Sequence, residues 1–313
     1  MLKILFLTKS FLQRVEKSSY YLELELKRQA QVLALDRDGD ISEILQGISF
    51  TPDFILINDF KPDYSPRVYG FPKLSMPYGA IMHDLKYKIF ERGRFFEREN
   101  IRHIFTVYRE ASFKWFPQFA DRFIWFPHHV PHEIFKDYKL EKQINWLMTG
   151  AMFKHLYPAR AKMLEIMRNE PGFVYHPHPG YKNLADASAG VLVGEDYARE
   201  INRAKMQITC DSNDHFPVMK YFETTACNTL LLATPSQELV DLGFVDGITF
   251  VAVEPTTIYE KAYYYLHHEK ERLKIAKQGY EMVRERHSTE IRVSELLDKI
   301  QEIISSHKTS SNS

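Results

Sequence analysis

The chain has 313 residues, of which 44% are hydrophobic and 26% charged, with only 13 Gly and 15 Pro. This composition excludes disordered, collagenous and coiled-coil proteins, and the length is enough for two domains of about 150 residues. The 41 basic residues balance 41 acidic ones, so no overall positive field would attract a polyanion. The sequence therefore predicts small or locally recognised partners and no nucleic acid.

Cysteine usage and the amino-terminal sequence both favour a cytoplasmic protein. Cys210 and Cys227 are too few for a disulfide framework and have no zinc-binding spacing with histidine. Only four apolar residues separate Lys3 from Thr8, which is shorter than a signal-peptide core, and no run of 18 apolar residues occurs. We expect a chain that is neither exported by this route nor membrane-spanning.

Short apolar runs alternate with amphipathic stretches, which is the rhythm of βαβ units. The pattern predicts strands at residues 2–7, 54–58, 78–82, 101–107, 146–149, 173–175, 206–209 and 229–233. It predicts helices at residues 14–30, 85–99, 159–168, 197–204, 218–227, 258–267, 269–286 and 289–304, with a frayed tail at 307–313. The predicted fold class is therefore α/β, with two doubly wound parallel sheets followed by C-terminal helices.

Residues 126–143 are rich in proline, histidine and charge and have no periodicity, which is typical of a connection between domains. We place the boundary at Tyr138. The first domain then spans residues 1–138 and the second spans 139–285. Residues 286–313 are predicted to form a C-terminal helix that packs back towards the first domain.

Several common catalytic signatures are missing from the sequence. There is no GxG, Walker A, HExxH or GxSxG motif, which disfavours a dehydrogenase, a P-loop kinase, a zincin or an α/β-hydrolase. In open parallel sheets ligands bind at the carboxyl ends of the strands. The polar residues that follow each predicted strand are therefore the candidates for a functional site.

His83 and Asp84 follow the predicted strand at 78–82. A histidine at that edge can form a hydrogen bond with a ligand near neutral pH. The alternative is local, because aspartate is a favoured helix N-cap and Asp84 would then cap the helix predicted from Leu85.

Lys220 and Glu223 are three residues apart, on one face of the helix predicted at 218–227. The helix therefore presents a cation and a carboxylate together, which suits the phosphate and the ribose of a nucleotide. The small residues from Thr224 to Ala226 would let the helix approach a ligand closely. The alternative is a solvated ion pair on a helix surface.

Gly150 follows the strand predicted at 146–149, and Lys154 and Arg160 come shortly after it. Backbone N–H groups at the start of a helix, together with two cations, form an anion site. In the alternative interpretation Arg160 is an ordinary surface residue of its helix.

His176 and His178 alternate along a strand end and could both ligate a metal, but no third ligand with metal spacing follows. We therefore expect no metal. His178 is either a structural histidine or a contact to the base or phosphate of a ligand.

Residues 85–125 contain nine basic and five acidic side chains interleaved with Phe and Trp. A basic aromatic face of this kind can contact an anionic membrane or an anionic acceptor. The alternative is that the aromatic residues belong to the core and that the arginines solvate helix surfaces.

Several of these segments resemble one family of enzymes. MHDL at residues 82–85 resembles the His-Asp step of the retaining group 1 glycosyltransferases, which are glycosyltransferase family 4 and its relatives. GEDYAREINRAKMQITCD, followed by KYFETTACNTLLLA, is similar to the donor-domain core of that family. The resemblance covers residues 2–300 and is greatest with the spore-maturation CgeB-like branch.

The resemblance implies a GT-B fold, in which two Rossmann-like domains face a cleft. It also implies transfer of a hexosyl group from a nucleotide-sugar to an unknown acceptor, with retention and without a metal. His83 would contact the transferred sugar, and Glu223 would accept hydrogen bonds from ribose hydroxyls. The residues expected to bind the donor are Gly150, Lys154, Arg160, His178, His215, Lys220, Glu223 and Thr224.

His215 marks a departure from the family pattern. The family often carries two glutamates eight residues apart, and the second matches Glu223, whereas His215 stands at the first position with Asp214 beside it. Two other functions are therefore kept as alternatives. One is a non-catalytic coat or scaffold protein that uses the GT-B frame for binding, and the other is a nucleotide-sugar epimerase.

Overall fold

A computed structural model of the chain describes residues 1–181, 183–186 and 190–311. The chain divides into two units by its internal contacts. Unit 1 comprises Met1–Leu12, Lys17–Pro127 and Glu290–Ser313, and unit 2 comprises Gln13–Glu16 and His128–Thr289. Apart from Gln13–Glu16, the chain belongs to unit 1 up to Pro127 and to unit 2 from His128 to Thr289, so Tyr138 lies within unit 2.

Strands and helices alternate along most of the described chain. The strands are β1 Lys3–Leu7, β2 Gln31–Leu35, β3 Gly39–Asp40, β4 Phe54–Ile57, β5 Val68–Tyr69, β6 Tyr78–Met82, β7 Ile104–Thr106, β8 Phe123–Trp125, β9 Ile144–Thr149, β10 Phe173–His176, β11 Ala204–Thr209, β12 Leu230–Ala233 and β13 Val251–Ala252. The helices are α1 Ser18–Gln29, α2 Ile41–Gln46, α3 Ile89–Arg98, α4 Arg109–Trp115, α5 Pro158–Met167, α6 Glu195–Arg203, α7 Met219–Ala226, α8 Gln237–Asp241, α9 Ile258–His267, α10 Glu269–Arg286 and α11 Thr289–Ser311.

Unit 1 is built on a parallel sheet with the strand order β2-β1-β4-β6-β7-β8. β1 and β4 are paired in register from Ile4↔Phe54 onward, and their side chains are buried on both faces, as a parallel sheet requires. Helix α11 packs on this sheet because its apolar residues recur at helical spacing. Val293, Leu296 and Ile300 of α11 share one core cluster with residues of β1 and α1.

Unit 2 is built on a second parallel sheet with the strand order β10-β9-β11-β12-β13. Helices α9 and α10 cover its core through residues such as Ile258 and Ile275. Gly279 of α10 is needed for close packing, because a Cβ atom there would lie 2.7 Å from the Cγ2 atom of Thr225 and 2.3 Å from a backbone oxygen. α10 therefore holds α7, the helix that carries Lys220 and Glu223.

The predicted α/β class with parallel sheets is confirmed. The predicted helix starts at residues 14 and 85 are wrong, because α1 begins at Ser18 and α3 begins at Ile89, after a left-handed Lys88 with φ 45°. Asp84 is therefore not the N-cap of a helix. The short edge strands β2, β8 and β13 were not predicted, and residues 307–311, for which the sequence suggests fraying, are helical. Within the described ranges, no helix is both long and apolar enough to cross a membrane.

Candidate active site

Two cations meet at the carboxyl edge of the sheet in unit 2, beside Gly150. A Cβ atom built on Gly150 would lie 2.9 Å from Cε and 3.1 Å from Nζ of Lys220, and 3.3 Å from a guanidinium nitrogen of Arg160. Gly150 also has a φ of +111°, a conformation that side chains rarely adopt. The glycine is therefore required both for its backbone conformation and for the space that the two cations occupy.

Arg160 lies in the first turn of α5, and its side chain is only 2% exposed. Its guanidinium donates to the carbonyls of Ala151 and Cys210 and to the hydroxyl of Thr209, at 3.1, 3.3 and 3.3 Å. The Tyr157 ring lies 4.1 Å from the guanidinium carbon. These contacts hold Arg160 in place through neutral partners, so its positive charge is not cancelled. The alternative of a surface arginine is wrong.

In the part of the chain that the structure describes, no carboxylate forms an ion pair with Arg160 or Lys220. Burial and, to a smaller extent, the charge of Arg160 lower the pKa of Lys220 to about 8, against the opposing effect of Glu223. Charges that are removed from water are normally paired. This pair of cations is therefore suited to bind an anion beside Gly150.

His178 is close enough to these cations for both to affect its ionisation. Burial, followed by the charges of Lys220 and Arg160, lowers the pKa of His178 to about 4. The backbone N–H of Gly180 donates to Nδ1 at 2.9 Å, so the proton of the neutral ring is on Nε2. His178 is therefore a neutral hydrogen-bond donor near the two cations.

Glu223 lies one helical turn after Lys220 on α7. Burial and, to a smaller extent, the nearby Glu16 raise the pKa of Glu223 to about 7, against the opposing effects of Lys220 and Tyr197. The two side chains do not form the solvated surface ion pair that was the alternative interpretation. Glu223 is instead a half-buried carboxylate that can accept a hydrogen bond from a ligand hydroxyl.

A chain of hydrogen bonds joins Thr224 of α7 to Tyr197 of α6. Thr224 donates to Oε1 of Gln207 at 2.8 Å, and Nε2 of Gln207 donates to the Thr149 hydroxyl at 3.0 Å. The Thr149 hydroxyl is in turn 3.0 Å from the Tyr197 hydroxyl. Thr224 is fully buried. It therefore contributes to this chain of bonds and does not face a ligand.

The structure does not bring Lys154 or His215 to the two cations. Lys154 is 79% exposed and lies 3.5 Å from Glu165. His215 is 80% exposed, has a left-handed backbone with φ 59°, and contacts Asp211 at 3.0 Å. His176 bonds to Glu200 at 2.9 Å, and the described residues contain no group of three potential metal ligands.

His83 lies at the carboxyl edge of the sheet in unit 1, directly after β6. Its Nε2 is 2.9 Å from Oδ1 of Asn58, and its ring stacks on Tyr64 with a centroid distance of 5.0 Å. The backbone N–H of His83 donates to Oδ2 of Asp59 at 2.8 Å. Burial lowers the pKa of His83 to about 4, so the ring is neutral at pH 7.

Asp59 is held by the buried Arg92 at 3.0 Å, and both side chains are 0% exposed. Asp59 also accepts hydrogen bonds from the backbone N–H groups of His83, Asp84 and Lys61. A carboxylate with these four partners fixes the loop that carries His83.

The sequence analysis missed the residues that support the site. Asn58 and Asp59 contact His83, and Tyr197 and Gln207 belong to the chain of hydrogen bonds from Thr224, but none of the four belongs to a motif. Gln207 alone gives a signal, because it is a polar residue within a strand that is otherwise apolar over 206–208.

The comparisons with known proteins agree with this architecture. The glycosyl transferase-like family model matches residues 160–298, which include Arg160, Lys220 and Glu223. This part of the chain is therefore similar to glycosyl transferase-like domains. No curated protein sequence matches the chain significantly.

Three similar solved structures cover nearly the whole chain. A glycosyltransferase from Rickettsia africae has a TM-score of 0.62 at 10% identity, over 97% of this chain and 98% of that one. The Anabaena protein HepE, solved with UDP and glucose, has a TM-score of 0.60 at 10% identity, over 96% of this chain and 100% of that one. Sucrose-phosphate synthase from Thermosynechococcus elongatus has a TM-score of 0.68 at 12% identity, over 98% of this chain and 100% of that one. At these identities the likeness establishes the fold, and the chain has the GT-B fold.

Proposed function

We propose that this protein transfers a sugar from a nucleotide-sugar donor to an acceptor and that unit 2 binds the donor. The observation that carries the proposal is the cation pair beside Gly150, where Lys220 and Arg160 lack a carboxylate partner among the described residues. A diphosphate would supply the missing negative charge. The domain match over residues 160–298 supports the same assignment.

The same residues would stabilise the nucleoside diphosphate as it leaves. Arg160 is fixed by its hydrogen bonds before the reaction and Lys220 lies beside it, so the two cations would stabilise the charge that develops on the leaving group. This supports a metal-independent reaction. Glu223, a half-buried carboxylate on α7, would accept hydrogen bonds from the ribose hydroxyls. We propose that the donor carries a hexose and that the configuration of its anomeric carbon is retained.

His83 is proposed to contact the transferred sugar near its anomeric carbon. It is neutral at pH 7, and its position is fixed by Asn58, Asp59 and Tyr64. The phosphates and the ribose already have partners in unit 2, so the sugar is the part of the donor left for His83.

Calorimetric titration with UDP, with and without EDTA, tests the donor site. UDP is a reasonable first ligand because HepE was solved with it. Lys220→Met should weaken UDP binding by about tenfold or more but leave it measurable, because Arg160 remains beside Gly150, whereas the matched variant Lys154→Met should bind UDP like the unaltered protein. Equal losses in both variants would place the anion elsewhere, and loss of binding in EDTA would refute metal independence.

Release of UDP from UDP-glucose, or from other donors in a panel, tests whether the protein is an enzyme. Slow hydrolysis is expected even without the acceptor, because water can replace it. Binding without any release across the panel would favour the non-catalytic scaffold. Formation of an isomeric nucleotide-sugar would favour the epimerase.

We also propose a cytoplasmic protein with peripheral membrane contact through residues 85–125. Phe90 is 84% exposed, and Lys86 and Lys114 lie within 4.9 and 5.7 Å of the centroid of Trp115. Not all of the basic residues can take part, since Arg92 is buried. Sedimentation with anionic and zwitterionic vesicles tests the contact, and Phe90→Ser should reduce binding to anionic vesicles. Equal binding to both vesicle types would contradict it.

A further inference from the structure

Asn58 fixes the direction of the hydrogen bond to His83. Asn58 comes directly after β4, is fully buried, and places Oδ1 at 2.9 Å from Nε2 of His83. Its amide nitrogen Nδ2 donates to the hydroxyl oxygen of Thr8 at 2.9 Å. The amide of Asn58 thus connects Thr8, which follows β1, to His83, which follows β6.

The orientation of this amide follows from the partners of Thr8. The Thr8 hydroxyl has the carbonyl of Lys9 at 3.0 Å, which takes its single proton. The Thr8 oxygen must then accept from Asn58, so the NH₂ group of Asn58 faces Thr8 and its oxygen faces His83. Ser19, whose hydroxyl lies 3.4 Å from the same oxygen, is consistent with this orientation. An amide oxygen can only accept, so Nε2 of His83 carries the proton.

The surroundings of His83 keep the ring neutral and immobile. Burial lowers its pKa to about 4, Asp59 and Asp84 oppose that effect, and Arg92 adds to it. The Tyr64 ring stacks on one face at an interplanar angle of 25°. A neutral imidazole exists as one of two tautomers, and the partner of one nitrogen decides which nitrogen keeps the proton.

We propose that Asn58 is a positioning residue that holds His83 in the tautomer with the proton on Nε2, so that Nδ1 accepts a hydrogen bond from a hydroxyl group of the substrate. This inference rests on the proposed function for the identity of the substrate. It goes further by naming the group that His83 accepts. A hydroxyl fits, whereas a carboxylate or phosphate oxygen has no proton to donate and would be repelled by the lone pair. The group of the substrate at Nδ1 of His83 would therefore be a hydroxyl.

Histidine side-chain ¹⁵N NMR at pH 7 tests the tautomer directly. The signals of His83 are assigned by their absence in His83→Gln. In the unaltered protein we expect a protonated Nε2 and an unprotonated Nδ1. A proton on Nδ1, or an even mixture of the two tautomers, overturns the inference whether or not the protein transfers sugar.

Substitutions of Asn58 test whether it is the cause. Asn58→Ala should give a mixture of tautomers, and Asn58→Asp should restore Nε2 protonation, because a carboxylate also accepts from that nitrogen. Ser19→Ala is the matched control, since it removes a contact to Asn58 and leaves the amide in place, and it should keep the tautomer of the unaltered protein. An unchanged tautomer in Asn58→Ala would overturn the role of Asn58.

Turnover separates this inference from the proposed function. In Asn58→Ala we expect release of UDP from a donor to fall at least tenfold with unchanged affinity for UDP, and Asn58→Asp should recover part of the rate. Full turnover in Asn58→Ala would overturn the positioning role. If no donor is turned over by the unaltered protein, the proposed function fails, and the NMR result still decides the tautomer.

Discussion

The carboxyl edges of the two sheets differ in how their charges are compensated. In unit 1 the buried Arg92 is paired with Asp59 at 3.0 Å, and Asp59 in turn accepts from three backbone N–H groups. In unit 2 Arg160 and Lys220 converge beside Gly150 without a carboxylate in ion-pair contact among the described residues. The buried arginine in unit 1 thus has a carboxylate partner in the free protein, whereas we expect the two cations in unit 2 to gain a negatively charged partner only when an anion binds.

Removing a charge from the compensated site should produce the largest effect on stability. Asp59→Ala leaves Arg92 buried without its partner, and breaking a buried pair from one side typically costs about 3–5 kcal/mol. We expect a loss of this size in the free energy of unfolding, measured by urea denaturation. Lys27→Ala, which breaks the exposed pair with Glu23, is the control and should change it by about 0.5 kcal/mol or less. A loss in Asp59→Ala no larger than in the control would show that the two edges do not differ in this way.

The next largest effect is expected from His83→Ala. This variant compares the rate of sugar transfer with the affinity for the nucleotide. His83→Ala should leave the affinity for free UDP nearly unchanged and lower turnover by about 100-fold or more, as expected for a contact made mainly in the transition state. Both quantities are to be measured on the same protein preparation. Full activity would reduce His83 to a structural neighbour of Asp59. Lost UDP affinity would mean that the donor nucleotide is bound by unit 1.

Sequence patterns could predict most strands of the two sheets and a set of candidate site residues. They could not predict which atoms each of those side chains contacts. The apolar run at 54–58 predicts β4, yet nothing in it shows that Asn58 orients His83, because that contact joins residues 25 positions apart. Gly150, Arg160 and Lys220 could be proposed together because each follows a strand or opens a helix. Lys154 is a lysine like Lys220 and also follows a strand closely, but its Nζ atom lies 3.5 Å from Oε1 of Glu165. Short edge strands such as β13, with two residues, are too brief to have a periodicity of their own.

Glu223 is expected to lower the free energy of unfolding of the unliganded protein, because its carboxylate is removed from water in the candidate site of unit 2. Its pKa in the folded protein is raised to about 7 from 4.5, so the folded state keeps the proton longer than the unfolded chain. Its stabilising contribution is complete below pH 4.5 and is lost as the pH rises towards 7, by up to about 3 kcal/mol. Glu223→Gln should therefore stabilise the unliganded protein by about 1–3 kcal/mol at pH 8 and weaken UDP binding by about 1–3 kcal/mol.

Urea denaturation at pH 4.5 and pH 8, together with calorimetry, measures both effects of Glu223→Gln. The exposed Glu285→Gln is the matched control and should change neither quantity. Unchanged affinity in Glu223→Gln would show that the carboxylate does not contact UDP. A loss of stability at pH 8 would contradict the raised pKa.

The smallest expected effect is a change of UDP affinity with pH. It tests whether the positive charge of Lys220 contributes to UDP binding. Burial and Arg160 lower the pKa of Lys220 to about 8, and a bound diphosphate would raise it again. In the Glu223→Gln background, affinity should therefore be nearly constant from pH 7 to pH 8 and fall by up to about tenfold per pH unit above pH 8, because binding then requires uptake of a proton. His178 does not contribute in this range, since its pKa is about 4, and titration in the Glu223→Gln background removes the other group that ionises near pH 7. Lys220→Met should abolish the slope between pH 8 and 9.5, whereas Lys154→Met should keep it. A slope that survives in Lys220→Met would assign the titrating cation to another residue, and the contrast between the two sheet edges would then rest on Arg160 alone.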